Sequence, residues 1–522
     1  MKKAFALYFL SICFVVGLIC SCSTGPNYGK LIPRDAAFVM SFNVEKAIES
    51  SGLEDEEEPE EILVKFLKNS DFSRATREKL EDIVDDPDEA GLDLREPLMV
   101  FYSPTYKNEF GITGAVYDAQ KLEDLVNTMA REALCNKVNT YGDLRYSVMD
   151  KLVLAFNDSW FFVTEKKSNQ MDEEEVLDEI EGLFMQDEEK SLYGTEAYEK
   201  MSASEGFAQM LFQGDGLADL LKKYPKFQSM LSAMPQEMSL KDFAYLCDLC
   251  FKKGEIQLVG ETLMLTDEAE EWMENFNGYG EIAGDFNAYI PADALFCLSM
   301  NINGEALFKQ VENNAFMTSH IGKKNIEMLK RILTTVKGDG VLYVEKFIQR
   351  IDFPELAVYV QTENADWLDI VLPQLPLQPK KLGENEYSLP LFENVADEQS
   401  QDPNVIPDAY LNFGVRGGVS YLLVDRSPEP FNKVEEAQHA ADGKNVYARL
   451  DLGHLTGLSA FKKAFGRMEG MVVKQALSPF DYVEVYTENK TKTTYRIVMN
   501  NKEEYPLKVV YDKMFKLVKN FL

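Results

Sequence analysis

A thirteen-residue stretch that recurs a domain later constrains this chain more than any other feature, because self-similarity at long range means the same fold built twice. Leu31 to Asn43 reappears as Tyr289 to Asn301, with identity at seven of the thirteen positions. The shared pairs are Ile32/Ile290, Pro33/Pro291, Asp35/Asp293, Ala36/Ala294, Phe38/Phe296, Ser41/Ser299 and Asn43/Asn301. Weaker matches follow in the same order. Ala115 to Tyr117 matches Ala357 to Tyr359, Tyr146-Ser147 matches Tyr387-Ser388, and Phe207 to Gln209 matches Tyr447 to Arg449. The offset shrinks after the first pair, and one indel between the halves would account for it.

Each half is therefore expected to be one α+β domain, a mostly antiparallel sheet with helices packed on it, spanning 31–280 and 289–516. Pro33 and Pro291 favour an extended chain before them and lead into apolar runs suited to buried strands. From Ala119 to Leu134, Leu122, Leu125, Met129 and Ala133 recur at helical spacing. The runs Tyr146–Met149, Leu152–Phe156 and Trp160–Thr164 are separated by only a few residues. Antiparallel hairpins tolerate such short links, whereas parallel crossovers do not. Residues 52–84 look like an acidic helical insertion, with the acids from Glu54 to Glu61 as a solvated loop. Asp397 to Pro407 reads as an irregular loop.

Composition removes whole classes of function. The 522 residues carry 54 Lys plus Arg against 87 Asp plus Glu, a formal charge of −33. Such a polyanion is repelled by phosphate backbones, so no nucleic-acid partner is expected. Three histidines, His320, His439 and His454, leave little material for Ser-His or Cys-His pairs or for His-rich metal sites.

The N-terminus supplies an address. Lys2 and Lys3 precede an apolar run from Ala4 to Ile19, the layout of a secretory signal peptide and short for a membrane span. Ile19-Cys20-Ser21-Cys22 resembles the lipobox of bacterial lipoproteins, with small Ser21 before the Cys. The resemblance implies a signal peptide over 1–21, acylation at Cys22 and a tether over 22–30. Residues 23–30 carry no acid, unlike the surface-export signal of Bacteroidota lipoproteins. By that analogy the chain is expected to be anchored in the outer membrane facing the periplasm, with the cell surface as the alternative. A lipobox followed by two copies of Ile-Pro-x-Asp-Ala-x-Phe is similar to a Bacteroidota lipoprotein family catalogued only as a domain of unknown function. That family brings no catalytic residues.

The remaining motifs read as structure. Cys247 and Cys250 form a lone C-x-x-C within an apolar run and read as buried strand cysteines, without a second pair to complete a zinc set. Asp86 to Gly91 hints at a calcium loop but puts Ala90 where an oxygen ligand belongs. Trp160, Trp272 and Trp367 read as core residues. Pro33, Asp35, Ser41, Asn43, Pro291, Asp293, Ser299 and Asn301 read as a structural motif, each aspartate accepting backbone N–H groups in a local turn. No cofactor, metal site or catalytic constellation is expected. The expected partners are the membrane, through the lipid, and an envelope protein or small ligand. The expected role is therefore non-catalytic binding or scaffolding in the envelope. The alternatives are an envelope hydrolase using paired carboxylates and a carrier of an apolar ligand between the domains.

Overall fold

The structure is a computed structural model. It describes residues 28–519 apart from 53–63, 65–66, 167–171, 224–238, 314–317, 319–320, 349–352, 376, 392–406, 427–430, 459–460 and 462–464. Cys22, the signal segment, the acidic run at 54–61 and most of the 397–407 loop lie outside the described residues.

The chain divides into two compact units. Unit 1 contains β1 (Phe38–Phe42), β2 (Leu92–Asp93), β3 (Leu98–Tyr102), β4 (Phe110–Val116), β5 (Asn139–Tyr141), β6 (Leu144–Met149), β7 (Leu152–Phe156), β8 (Trp160–Glu165), β9 (Ala208–Gln213), β10 (Phe243–Lys252) and β11 (Glu255–Met264). The helices that matter here are α1 (Val44–Glu49), α2 (Arg74–Asp85), α3 (Ala119–Arg131), α4 (Glu173–Phe184) and α5 (Glu196–Ser202). Unit 2 contains β12 (Tyr279–Gly280), β13 (Phe296–Asn303), β14 (Val336–Ile348), β15 (Phe353–Thr362), β16 (Lys380–Gly383), β17 (Glu386–Leu391), β18 (Ala409–Arg416), β19 (Val419–Asp425), β20 (Val446–Asp451), β21 (Phe480–Thr487) and β22 (Lys492–Met499).

In unit 1 the antiparallel order is β11-β10-β9-β1-β3-β4-β8-β7-β6-β5, with β2 paired at the end of β4. In unit 2 it is β22-β21-β20-β13-β14-β15-β19-β18-β17-β16, with β12 beside the end of β13. The two orders agree strand for strand, and the fold is α+β.

The boundaries fall elsewhere than at 280 and 516. Tyr279 pairs with Ile302, so β12 belongs to unit 2. Glu503 onward belongs to unit 1, where the Gly254 N–H donates to the Glu504 carbonyl at 2.8 Å. Tyr28–Leu31 is a 3-10 turn with Tyr28 buried, so the end of the expected tether is already part of the fold.

Ladder register corrects the weaker sequence matches. In unit 1, Ser41 faces Met99 and Gln209, Met99 faces Thr113, and Thr113 faces Phe162. In unit 2, Ser299 faces Val341 and Tyr447, Val341 faces Tyr359, and Tyr359 faces Tyr421. Tyr359 thus corresponds to Thr113 rather than Tyr117, and Gln209 corresponds to Tyr447 rather than Arg449. Both slips are even, so they preserve which face each residue presents. Taken along these pairs, the offset falls, rises and falls again, which requires several indels rather than one.

Both faces of the unit 1 sheet are covered. Met99 and Phe101 join one cluster with Val176, Leu177 and Ile180 of α4. Leu98, Phe156 and Phe161 join another with Ala119, Leu122 and Val126 of α3. Asp118 caps α3 by accepting the N–H groups of Gln120 and Lys121. Between β8 and β9, unit 1 therefore inserts α4 and α5. Between β19 and β20, unit 2 has no helix among the described residues, and Phe431 fills the space against Tyr289, Tyr359 and Tyr421.

Candidate functional site

The repeated motif builds the same turn twice. Pro33 bridges to Ser191, and Pro291 to Ala437. The Ala36 N–H donates to the Pro33 carbonyl at 3.1 Å, and the Ala294 N–H to that of Pro291 at 3.2 Å. Arg34 and Ala292 likewise donate to Lys190 and Glu436, each at 3.0 Å. The motif steers the chain into the central strand of each sheet.

The aspartates do not cap that turn. Asp35 accepts the side-chain hydroxyls of Ser103 at 3.3 Å and Thr105 at 2.5 Å, on the loop after β3. Asp293 is exposed and accepts no hydrogen bond among the described residues. The turn closes through main-chain bonds and leaves the carboxylates free to diverge. Asp35→Ala should therefore cost about 0.5–1.5 kcal/mol, and Asp293→Ala should stay within about 0.5 kcal/mol of the parent, by urea denaturation. Equal losses would contradict this.

The asparagines diverge too. Asn43 caps α1, accepting the Lys46 N–H at 2.8 Å and donating from Nδ2 to the Arg95 carbonyl at 3.1 Å. In unit 2 the central strand is eight residues instead of five, so Asn303 takes over the cap. Asn301 instead donates to Asp339 at 2.8 Å. Asp339 is buried and also accepts three successive N–H groups, from Ala283, Gly284 and Asp285. That carboxylate is used up as a loop anchor.

Ser41 and Gln209, directly opposed on β1 and β9, lie at the floor of an open pocket of roughly 650 Å³ in unit 1. Met99, Met201, Tyr28, Tyr198 and Tyr193 also line it, all but Tyr193 buried. Burial raises the phenols of Tyr28 and Tyr198, well above the ordinary value in Tyr28, and the Glu96 charge adds to it in each, so each keeps its proton. Tyr28 donates to the Pro97 carbonyl at 2.5 Å. The charged rim is largely spent internally: Lys46 donates to the Ser204 carbonyl at 3.1 Å, Arg95 pairs with Asp93 at 2.7 Å, and Glu188 with Lys30 at 2.7 Å.

At the floor, two groups remain unspent. Ser41 is 3% exposed and its hydroxyl has no hydrogen-bond partner among the described residues. Gln209 is 4% exposed and donates from Nε2 to the Gly206 carbonyl at 2.6 Å and to Asp248 at 3.0 Å. Both partners are acceptors, which fixes the amide orientation and leaves Oε1 unpaired. In unit 2 the position of Gln209 holds Tyr447, 1% exposed and packed with Ile282 and Ala441, and Ser299 lies 3.6 Å from the Cys297 sulfur. There the same place is filled. The sequence match shows that Ser41 recurs, but only the ladder partner shows which copy keeps the space open.

Other candidate chemistry resolves into packing. Cys247 and Cys250 lie on β10, and burial raises both thiols, that of Cys250 to about 11 with help from the Asp248 charge. Neither is a ready thiolate. Asp86 caps a short turn by accepting the Asp88 N–H, and Gly91 ends it at φ +77°, where a Cβ would meet the Asp118 carbonyl at 2.4 Å. Among the described residues, no group of three or more His, Cys, Asp or Glu is placed to hold a metal. Trp160 packs near Phe184, Trp272 stacks on Phe276, and Trp367 donates to Ser420 at 2.9 Å. Glu355 on β15 and Asp425 on β19 form a carboxyl pair, with Glu355 buried and neither lining the pocket.

Fold and site together define a two-unit antiparallel α+β protein with a polar pocket in its first unit. Residues 28–380 match the family described as a domain of unknown function (DUF4836), and the chain belongs to that family. A search of the curated proteins finds no match. Among solved structures, crystal forms I and III of TP0453 are each similar at 12% identity. Form I covers 46% of this chain and 80% of its own at a TM-score of 0.25, and form III covers 50% and 90% at 0.26. Similarity at that level carries no argument about this chain.

Proposed function

We propose that this chain is a lipid-anchored, non-catalytic binding protein of the cell envelope that holds a small ligand in the unit 1 pocket. The observation that carries the reading is the unspent Ser41–Gln209 pair at the floor of a pocket that unit 2 closes with Tyr447. Both oxygens are reachable from the cavity rather than sealed in the core, and polar groups converging on a cavity support an external partner. Among the described residues, no helix is long and apolar enough to cross a membrane.

Attachment rests on Lys2-Lys3, the apolar run and Ser21-Cys22. Tyr28, which helps line the pocket, follows Cys22 by six residues. At about 3.3–3.6 Å per residue that length reaches no more than about 20 Å, so an acylated Cys22 would keep the pocket close to a bilayer. The proposed position is the outer membrane, facing the periplasm. Cells fed a clickable fatty acid should label the parent chain and not Cys22→Ala; equal labelling of both would remove the anchor.

A further inference from the structure

We infer that the unit 1 pocket takes a neutral saccharide. The inference rests on the binding reading above and adds the class of ligand. What the floor offers is one hydroxyl, on Ser41, and one carbonyl oxygen, on Gln209. A hydroxyl can give and accept, and a carbonyl can only accept. Between these two groups a phosphate or carboxylate would meet a single donor and be opposed by the Gln209 oxygen, and on the lining Glu96, Glu188 and Glu199 outnumber Lys46 and Arg95. An apolar ligand would bury both groups unpaired, which sites of this kind reject strongly. A sugar ring satisfies both, because each of its hydroxyls donates and accepts. The two side chains stand on directly opposed strand positions, where Cβ atoms lie about 4.5–5.5 Å apart, within reach of neighbouring hydroxyls on one ring.

The walls agree with the floor. Half-buried Tyr193 offers a ring face for the C–H face of a sugar, and the charges of Lys46 and Arg95 are offset by Glu96, Glu188 and Glu199 on the same lining. Nothing at the floor selects a charge. A pocket of roughly 650 Å³ falls within the usual range for small-ligand sites, about 300–1,000 Å³. The same chemistry could be presented by a free saccharide or by the sugar headgroup of a lipid.

The test uses the chain from Ser23 to Leu522. It is applied to an array of neutral hexoses, hexosamines and their oligomers, then titrated calorimetrically with the sugars retained. Phosphatidylcholine vesicles with and without a glycosylated lipid form a second arm, and inorganic phosphate and decanoate a third. Binding of free sugar, or only of the glycolipid vesicles, supports the inference and identifies the source. Ser41→Ala, a near-isosteric change, should weaken that binding at least tenfold with the unfolding midpoint unchanged, and Gln209→Leu should weaken it as much at a lower midpoint, because the bonds to Gly206 and Asp248 go with the amide. Binding of phosphate or decanoate without any sugar overturns the saccharide class and leaves the pocket reading standing. Sugar binding that both variants retain places the site elsewhere and overturns the inference, as does failure of every sugar probe.

Discussion

Tyr359→Ala should destabilise unit 2 by about 3–5 kcal/mol, the range for removing a large buried aromatic side chain. Tyr359 is 1% exposed, and its ring stacks on Phe286 at 5.8 Å and Phe431 at 5.1 Å, with Tyr289 at 5.6 Å. Unit 1 covers the corresponding part of its sheet with α4, and the corresponding residue there is Thr113, whose hydroxyl donates to the Phe161 carbonyl. With no described helix between β19 and β20, unit 2 relies on this aromatic cluster instead. Tyr359→Phe keeps the buried ring and loses only the hydroxyl, a cost of no more than about 1 kcal/mol. Urea denaturation of the three proteins measures both steps. A cost below about 1 kcal/mol for the Ala variant would show that the cluster is not a core.

Between pH 4.5 and about 7, unit 2 should lose stability relative to a Glu355→Gln variant. Burial, reinforced by the shared hydrogen bond and charge of Asp425, pushes the Glu355 carboxyl up to about 7, against the pull of Lys346. Glu345 and Lys346 on β14 and Asp425 on β19 are the charged neighbours. A carboxyl raised on folding holds its proton more tightly in the folded chain. Its contribution is complete below the unfolded value of about 4.5 and disappears as pH rises through about 7. Gln cannot ionise, so the variant lacks this dependence. The difference in unfolding free energy should grow by about 1–3 kcal/mol over that window, with the wild type losing ground. A constant difference from pH 4.5 to 7.5 would mean that Glu355 ionises normally.

Much of the architecture was legible in the sequence because its signals are local. Short links between Tyr146 and Thr164 forced hairpins, and the spacing of Leu122 and Met129 gave a helix observed at Ala119–Arg131. Register was not legible, since period-two patterning is unchanged by a slip of two, and so Gln209 was matched with Arg449 instead of Tyr447. The aspartates were misread for a related reason. Their recurrence marks the turn, but Asp35 finds its partners on a loop about seventy residues away in sequence, and no spacing rule connects them. The pocket lay beyond reach because it depends on which residue faces Ser41 across the ladder.

Gln209→Tyr tests the central claim most directly. It places in unit 1 the residue that closes the same ladder position in unit 2, while Asp248 keeps its bonds from the Gly206 N–H at 3.1 and 3.3 Å. The measurement is ligand-observed NMR of a chemically mixed small-molecule library against the 23–522 chain and this variant, with unfolding midpoints compared alongside. The account predicts ligands that bind the parent chain and are lost in Gln209→Tyr, which stays folded at a midpoint lowered by the missing bonds to Gly206 and Asp248. A variant that stays folded and keeps every ligand would contradict it.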